Sequence, residues 1–510
     1  MHKHEKLMRP EEKRVTGWFW AFLVNLLLCL VNFYYFWGSH FSVDSYGVYL
    51  RGFSYRSYWS GYRYVGAMIL KLLAYLGRNP ILDDTPEIII YCVVASFLTA
   101  RFAALIAKKL AKYNFLTYFT INLAVLLTVM NVITGNQMSF PECVTINTVG
   151  LMCCFGAVFM LHAKRSIFRC VLASVLLIMA IATFQFYLAL FAVYMLVVCM
   201  AEIAQKHRDC ERATVGACMK TVWRPALVFV ISLCLYFVLG EWILQRLNIE
   251  PQDRIGLTCY TIAKNIIYYF LHQHTHIRWL QVFNGDYMTV LFAGALVTWI
   301  WVTVKSWKAG EHVSKIVAST AVFLMAYMCL YILPVVSAIK SIRAMGPMFG
   351  IYLLLLVGIL VRKAVSQKAV VVFTCILSCA LAINMLSTSH HQRNLLKTNE
   401  LDEAWANAVL QSIYDYEEES GITVSQIAFC QDEDPVFKYF TYTYSESAMS
   451  RSWAQDSILN VYRREDHVLL TKVDMPEEII AEYYAGKDWN ETSIEEQVVI
   501  IGDTAYICCW

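Results

Sequence analysis

Charge is scarce in this 510-residue chain: Asp, Glu, Lys and Arg make up 16% of it and hydrophobic residues 58%, where soluble domains carry about 25% and about 45–50%. That balance excludes an ordinary soluble enzyme and implies an integral membrane protein. The net charge is only +3, and its cations are scattered between apolar runs, so the basic stripe that a nucleic-acid partner requires is missing. There are 17 cysteines but no paired CxxC spacing. Cys29, Cys92, Cys153, Cys154, Cys234, Cys375 and Cys379 lie inside apolar runs, where a thiol is a small hydrophobe. Cys508 and Cys509 are too close in sequence for an easy disulfide with each other. Also missing are a glycine-rich phosphate loop, an HExxH helix and a GxSxG elbow, which sets aside three common catalytic designs. No internal repeat of the kind secondary transporters show is visible, which weighs against a transporter.

What is present is a series of apolar runs. The first, near Gly17 to Trp37, has about the 20 residues a helix needs to cross a bilayer and is longer than a signal core, so it reads as a retained span. Others fall near residues 86–107, 115–133, 143–162, 166–183, 185–203, 223–243, 287–304, 315–334, 345–361 and 368–387. The expectation is an all-α polytopic bundle of about eleven spans, residues 1–387. Residues 166–203 read either as two spans with a tight turn near Thr183-Phe184-Gln185 or as one tilted span with a re-entrant piece. Cations precede the first span and recur in every second loop, as at Lys108/Lys109/Lys112, Lys305/Lys308/Lys315 and Arg362/Lys363/Lys368. By the positive-inside rule the N-terminus is cytoplasmic, and an odd span count puts residues 388–510 outside. That segment has ordinary soluble composition. A helix from Glu400 to Ser420 and strand-like stretches at 422–430 and 497–510 make it a small α/β domain. Two external loops, 38–85 and 244–286, are large, and RYVGAMILKLLAYLG in the first reads as an interfacial amphipathic helix.

The most informative residue is Asp44, in VDSYGVYLRG just after the first span. A carboxylate at a membrane face is either functional or a capping or ion-pairing group, here with Arg51 as partner. Arg51, Arg56 and Arg63 break the rule that outer loops are poor in cations, as do Lys340 and Arg343 in AIKSIRAMGP. Guanidinium forks match phosphate oxygens, so a lipid phosphate is one reading. Headgroup binding, pairing with Asp44, Asp83 or Asp84, and snorkelling are the others. His272, His274 and His276 read as a surface or interfacial loop rather than a metal site, for want of a nearby zinc-spaced partner. Asp253 with Arg254, and Asp286, are candidate sugar contacts among routine loop residues. The aromatics Tyr260, Tyr268, Tyr269, Trp279 and Phe283 read as an interfacial belt. Gln185 is expected to hydrogen-bond between helices, and the Asn490-Glu491-Thr492 sequon reads as a chance match.

An N-terminal span leading to an external Asp, then WSGYRYVGAMIL, then Asn79-Pro80, resembles the bacterial Gtr-type glucosyltransferases related to the type II O-antigen glucosyltransferase, of the GT-C class. ATFQFYLALF, SIRAMGPMFG and the stretch beginning HQRNLLKTNELDEAW fit the same resemblance. It implies transfer of a sugar, glucose by the family, from a polyprenyl-phosphate donor to an acceptor glycan at the outer face of the bacterial cytoplasmic membrane. It implies Asp44 as general base, no cofactor and no expected metal, and it accommodates a small flippase partner. Ser45 stands where a second carboxylate often follows. Arg51, Arg56, Arg63, Lys340, Arg343 and Asp253 are the candidates for holding donor phosphate or sugar. The competing reading is a transporter or flippase of a lipid-linked sugar; the gathering of notable charge at one face, rather than mid-span, favours surface chemistry.

Overall fold

The computed structural model describes all residues except 1–9, 53–54, 83, 111–113, 163–165, 207–214, 253–257, 279–286, 337–341, 363–365, 432–446, 488–492 and 510. Every apolar run folds as helix: α1 (Pro10–Asn32), then the short α2 (Ser45–Arg51), α3 (Tyr55–Ser60) and α4 (Tyr64–Tyr75), followed by α5 (Asp84–Lys109), α6 (Phe115–Val129), α7 (Val132–Met138), α8 (Pro141–His162), α9 (Ile167–Thr183), α10 (Phe186–Lys206), α11 (Val215–Leu247), α12 (Cys259–Arg278), α13 (Tyr287–Lys308), α14 (Val313–Cys329) and α15 (Ile332–Val336). A 3-10 helix, Ile342–Phe349, leads into α16 (Gly350–Leu360) and the long α17 (Gln367–Ser420). Among the described residues six helices are long and apolar enough to cross a membrane, or seven if the pair α6 and α7, bent by 43°, counts as one span. Four further apolar helices among the described residues, within α1, α4, α9 and α14, are shorter.

Polar residues set the breaks. Asn114 caps α6 by accepting the Thr117 amide at 2.7 Å, and Asn131 ends the same run and restarts it as α7 by accepting the Ile133 and Thr134 amides, each at 3.1 Å. Between α9 and α10 the extended backbone at Phe184 makes the turn expected there, giving two helices. Deeper in the bundle Asn25 and Asn122 exchange amide hydrogen bonds at 3.0 and 2.7 Å while Asn25 also donates to Thr99, tying α1, α5 and α6 across an otherwise apolar core. Within the stretch 63–77, α4 (Tyr64–Tyr75) buries Tyr64, Gly66, Ala67 and Leu70 and leaves Met68, Leu72 and Tyr75 outward, an amphipathic helix as expected. One expectation fails: α12 runs on through Arg278, so His272, His274 and His276 belong to a helix and not a loop. Ile262, Asn265 and Ile266 give that helix an inward stripe at 3–4-residue spacing, and Asn265 anchors it to the Val335 carbonyl at 3.0 Å.

Past the apolar part, α17 continues without interruption through 387/388 to Ser420, where Gly421 in the left-handed region (φ +69°) ends it. A four-stranded sheet follows, ordered β2-β1-β4-β3: β1 (Gln426–Gln431) lies parallel to β2 (Thr471–Val473) and to β4 (Thr504–Cys509), and β3 (Val498–Ile501) pairs antiparallel with β4. The helix α18 (Gln455–Tyr462) packs with α17 over this sheet. Its core, including Ala406, Leu410, Ile458 and Ile507, also contains Tyr46 of α2. The C-terminal unit is therefore built around a piece of the first loop.

Candidate functional site

Asp44 is held in place by its neighbours on both sides. Upstream, His40 stacks on Phe36 at 4.2 Å, meets the Met138 carbonyl at 3.2 Å and pairs with Asp84 at 2.9 Å, all buried. Asn399 of α17 then clamps Phe41 from both sides, accepting its amide at 2.9 Å and donating to its carbonyl at 2.8 Å. Downstream, Ser45 is fully buried and donates to Glu142 at 3.1 Å. Asp44 itself stays exposed. It occupies the N-cap position of α2 yet makes no capping hydrogen bond, and its Oδ1 accepts from the indole Nε1–H of Trp453 at 3.1 Å. Neither structural role anticipated for it is filled, because Arg51 turns away to pair with Asp456 of α18.

A second carboxylate lies near Asp44, from a distant part of the chain. Glu142, in the first turn of α8, is buried and feels the charges of both Asp44 and Arg343. Arg343, on the 3-10 helix, lays its guanidinium 3.6 Å over the Phe140 ring. Arg63 reaches the same region from the turn before α4. Its guanidinium lies 4.3 Å over Phe184, with Nε 3.4 Å from Gln185 Oε1. Gln185 fixes that turn by donating to the Gly61 carbonyl at 2.7 Å and reaching Tyr236 of α11 at 3.1 Å. Tyr62 adopts the left-handed region (φ +58°), unusual for a bulky residue, and packs where a side chain at Gly240 would overlap it, so the backbone that aims Arg63 is held by close fit. Burial pulls the Arg63 guanidinium below the ordinary arginine range, with Tyr58 and Cys143 opposing and Arg343 adding to it. Neither Arg63 nor Arg343 forms an ion pair among the described residues. Two cations close enough to disfavour one another favour an anion between them.

Three of the residues singled out in sequence thus converge: Asp44, Arg63 and Arg343. Arg51 does not join them, and Arg56 is exposed on α3. Lys340, Asp253, Arg254, Asp286, Asp83, Trp279, Phe283 and the Asn490 sequon lie outside the described residues. Sequence reasoning missed Glu142 and Trp453. Glu142 had a signal, since it is an acidic residue at the edge of an apolar run, as Asp44 is; Trp453 had none. No group of three or more metal-ligating side chains occurs among the described residues. The other end of the bundle carries cavities of about 160 and 260 Å³, lined among others by Arg362 and by Lys109, Glu202, Lys220 and Arg224.

Residues 33–361, well over half of the chain, match the family model described as Glucosyl transferase GtrII. No curated protein and no solved structure matches.

Proposed function

The chain belongs to the GtrII glucosyltransferase family, and on that premise we propose that it is a GT-C-type hexosyltransferase. It moves glucose from a polyprenyl-phosphate-linked donor to a cell-surface glycan such as an O-antigen. One observation carries the reading: at one end of a membrane bundle an exposed carboxylate that caps no helix lies near Glu142 and Arg343, and Arg343 and Arg63 form no ion pair among the described residues. Glycosyl transfer needs a base near the attacking hydroxyl and positive charge near the departing phosphate. An acceptor hydroxyl oxygen bonds to the anomeric carbon as the bond from that carbon to the phosphate oxygen breaks. The hydroxyl proton goes to Asp44, and the electron pair leaves with polyprenyl phosphate, whose charge Arg63 and Arg343 balance.

General-base assistance is worth about 10²–10⁴ in rate. Asp44→Asn, purified at normal yield and monodispersity, is expected to release polyprenyl phosphate from polyprenyl-phosphate glucose at least about 100-fold more slowly; turnover within threefold of wild type removes Asp44 from the mechanism.

The same reading extends to topology: eleven crossings of a bacterial cytoplasmic membrane, the N-terminus inside, residues 388–510 outside, and a small flippase supplying the donor. Supporting it, Lys109, Lys220, Arg224 and Arg362 gather at the bundle end opposite Asp44. A C-terminal reporter that works only outside the cell should be active, and labelling of that reporter only after lysis would reverse the orientation.

A further inference from the structure

Trp453 reaches Asp44 from the C-terminal unit, and it is not part of that unit's core among the described residues. It is 57% exposed, and its indole donates to Asp44 at 3.1 Å. The loop that carries it is pinned by the Ala454 amide on the Arg451 carbonyl at 2.8 Å and by Lys472 Nζ, which donates to the Ser452 carbonyl. The next helix, α18, is fastened to α2 by the Arg51–Asp456 pair. The Arg451 guanidinium lies 5.5 Å from the ring. A large exposed indole held rigid from a second part of the chain is costly to keep in water without a ligand, and flat aromatic faces with one polar edge suit the apolar faces of sugar rings.

We propose that Trp453 is the acceptor-sugar platform. This rests on the function proposed above. The argument for acceptor over donor is positional. The cations suited to the donor phosphate, Arg63 and Arg343, come from helix ends of the membrane bundle, whereas Trp453 approaches Asp44 from the C-terminal unit. A base must touch the acceptor hydroxyl, so the group sharing its carboxylate on that side contacts the acceptor. The indole N–H occupies Oδ1 and leaves Oδ2 for the hydroxyl. The ring therefore has two separable roles: its face stacks the acceptor, and its N–H holds the Asp44 carboxylate in place.

Full-length wild type, Trp453→Ala and Trp453→Phe would be applied in detergent to a printed array of bacterial surface glycans. The glycan bound most strongly by wild type would then serve as acceptor with polyprenyl-phosphate glucose. Trp453→Ala should lose array binding by at least tenfold and raise acceptor KM similarly, with donor KM within twofold. Trp453→Phe, which keeps an aromatic face and loses the N–H, should keep binding and acceptor KM within threefold. Undiminished binding by Trp453→Ala, an equal rise in donor KM, or no array binding by wild type would each overturn the platform. Absence of turnover with array binding lost in Trp453→Ala would instead sink the transfer reaction and leave the platform standing.

Discussion

The two ends of the bundle differ in what their central charges meet. At the end away from Asp44, cations come with carboxylates: Lys109 and His162 converge on Glu202 at 2.6 and 3.1 Å, and Arg362 pairs with Glu311 at 3.6 Å with both side chains buried. At the Asp44 end, Asp44, Glu142, Arg63 and Arg343 are brought near one another, yet none of the four pairs with another. Charges that neutralise each other hold helices together. Charges kept apart by Ser45, Phe140 and Phe184 remain available to something that arrives. The contrast separates architecture from chemistry better than the positions of the residues in sequence do.

The largest way to break the comparison is at the paired end. Arg362 is sealed against Trp299, 4.8 Å from its ring, with Glu311 as its one counter-ion among the described residues. Removing one partner of such a pair leaves an uncompensated buried charge, a cost of about 3–5 kcal/mol. Glu311→Ala should accordingly unfold at markedly lower temperature in detergent while the protein that survives keeps its donor KM; unchanged thermal stability would mean the pair is not structural. At the unpaired end the expected pattern inverts. Arg63→Ala relieves a guanidinium that burial already disfavours, so stability should hold or rise. Donor KM should increase by about tenfold or more, on the scale of about 1.5–3 kcal/mol for a hydrogen bond to a charged group. A loss of melting temperature with donor KM unchanged would make Arg63 structural.

How much of this could be read from the chain follows from what periodicity reports. Apolar runs mark helices because burial is local, and the helix break at Thr183 to Gln185, the amphipathic α4 and the strand stretches near 422–430 and 497–510 appear in the structure. Which helix ends meet is not local. Glu142 comes to Ser45 across 97 residues and Trp453 to Asp44 across 409, and nothing in either stretch encodes the other. For the same reason a boundary at 387/388, drawn where composition changes, falls within a continuous α17, and the short β2 escapes notice because its three residues pair in parallel with a distant strand. The histidine run at 272–276 reads as loop because its residues are polar, whereas the helix is carried into it from the stripe of Ile262, Asn265 and Ile266.

Arg51 gives the finest test, because sequence placed it beside Arg63 as a phosphate ligand and the structure sends it the other way. It pairs with Asp456 and reaches Ser457 Oγ at 3.5 Å, with its own side chain 62% exposed. An exposed ion pair contributes about 1 kcal/mol or less, so Arg51→Ala should lower the melting temperature by a few degrees at most. Its catalytic signature should differ from that of Arg63 in kind as well as size. Loosening α18 moves the loop that carries Trp453, so acceptor KM should rise about two- to threefold while donor KM stays put. A rise in donor KM matching that of Arg63→Ala would return Arg51 to the phosphate and erase the distinction between a charge that fastens the C-terminal unit and a charge left open for substrate.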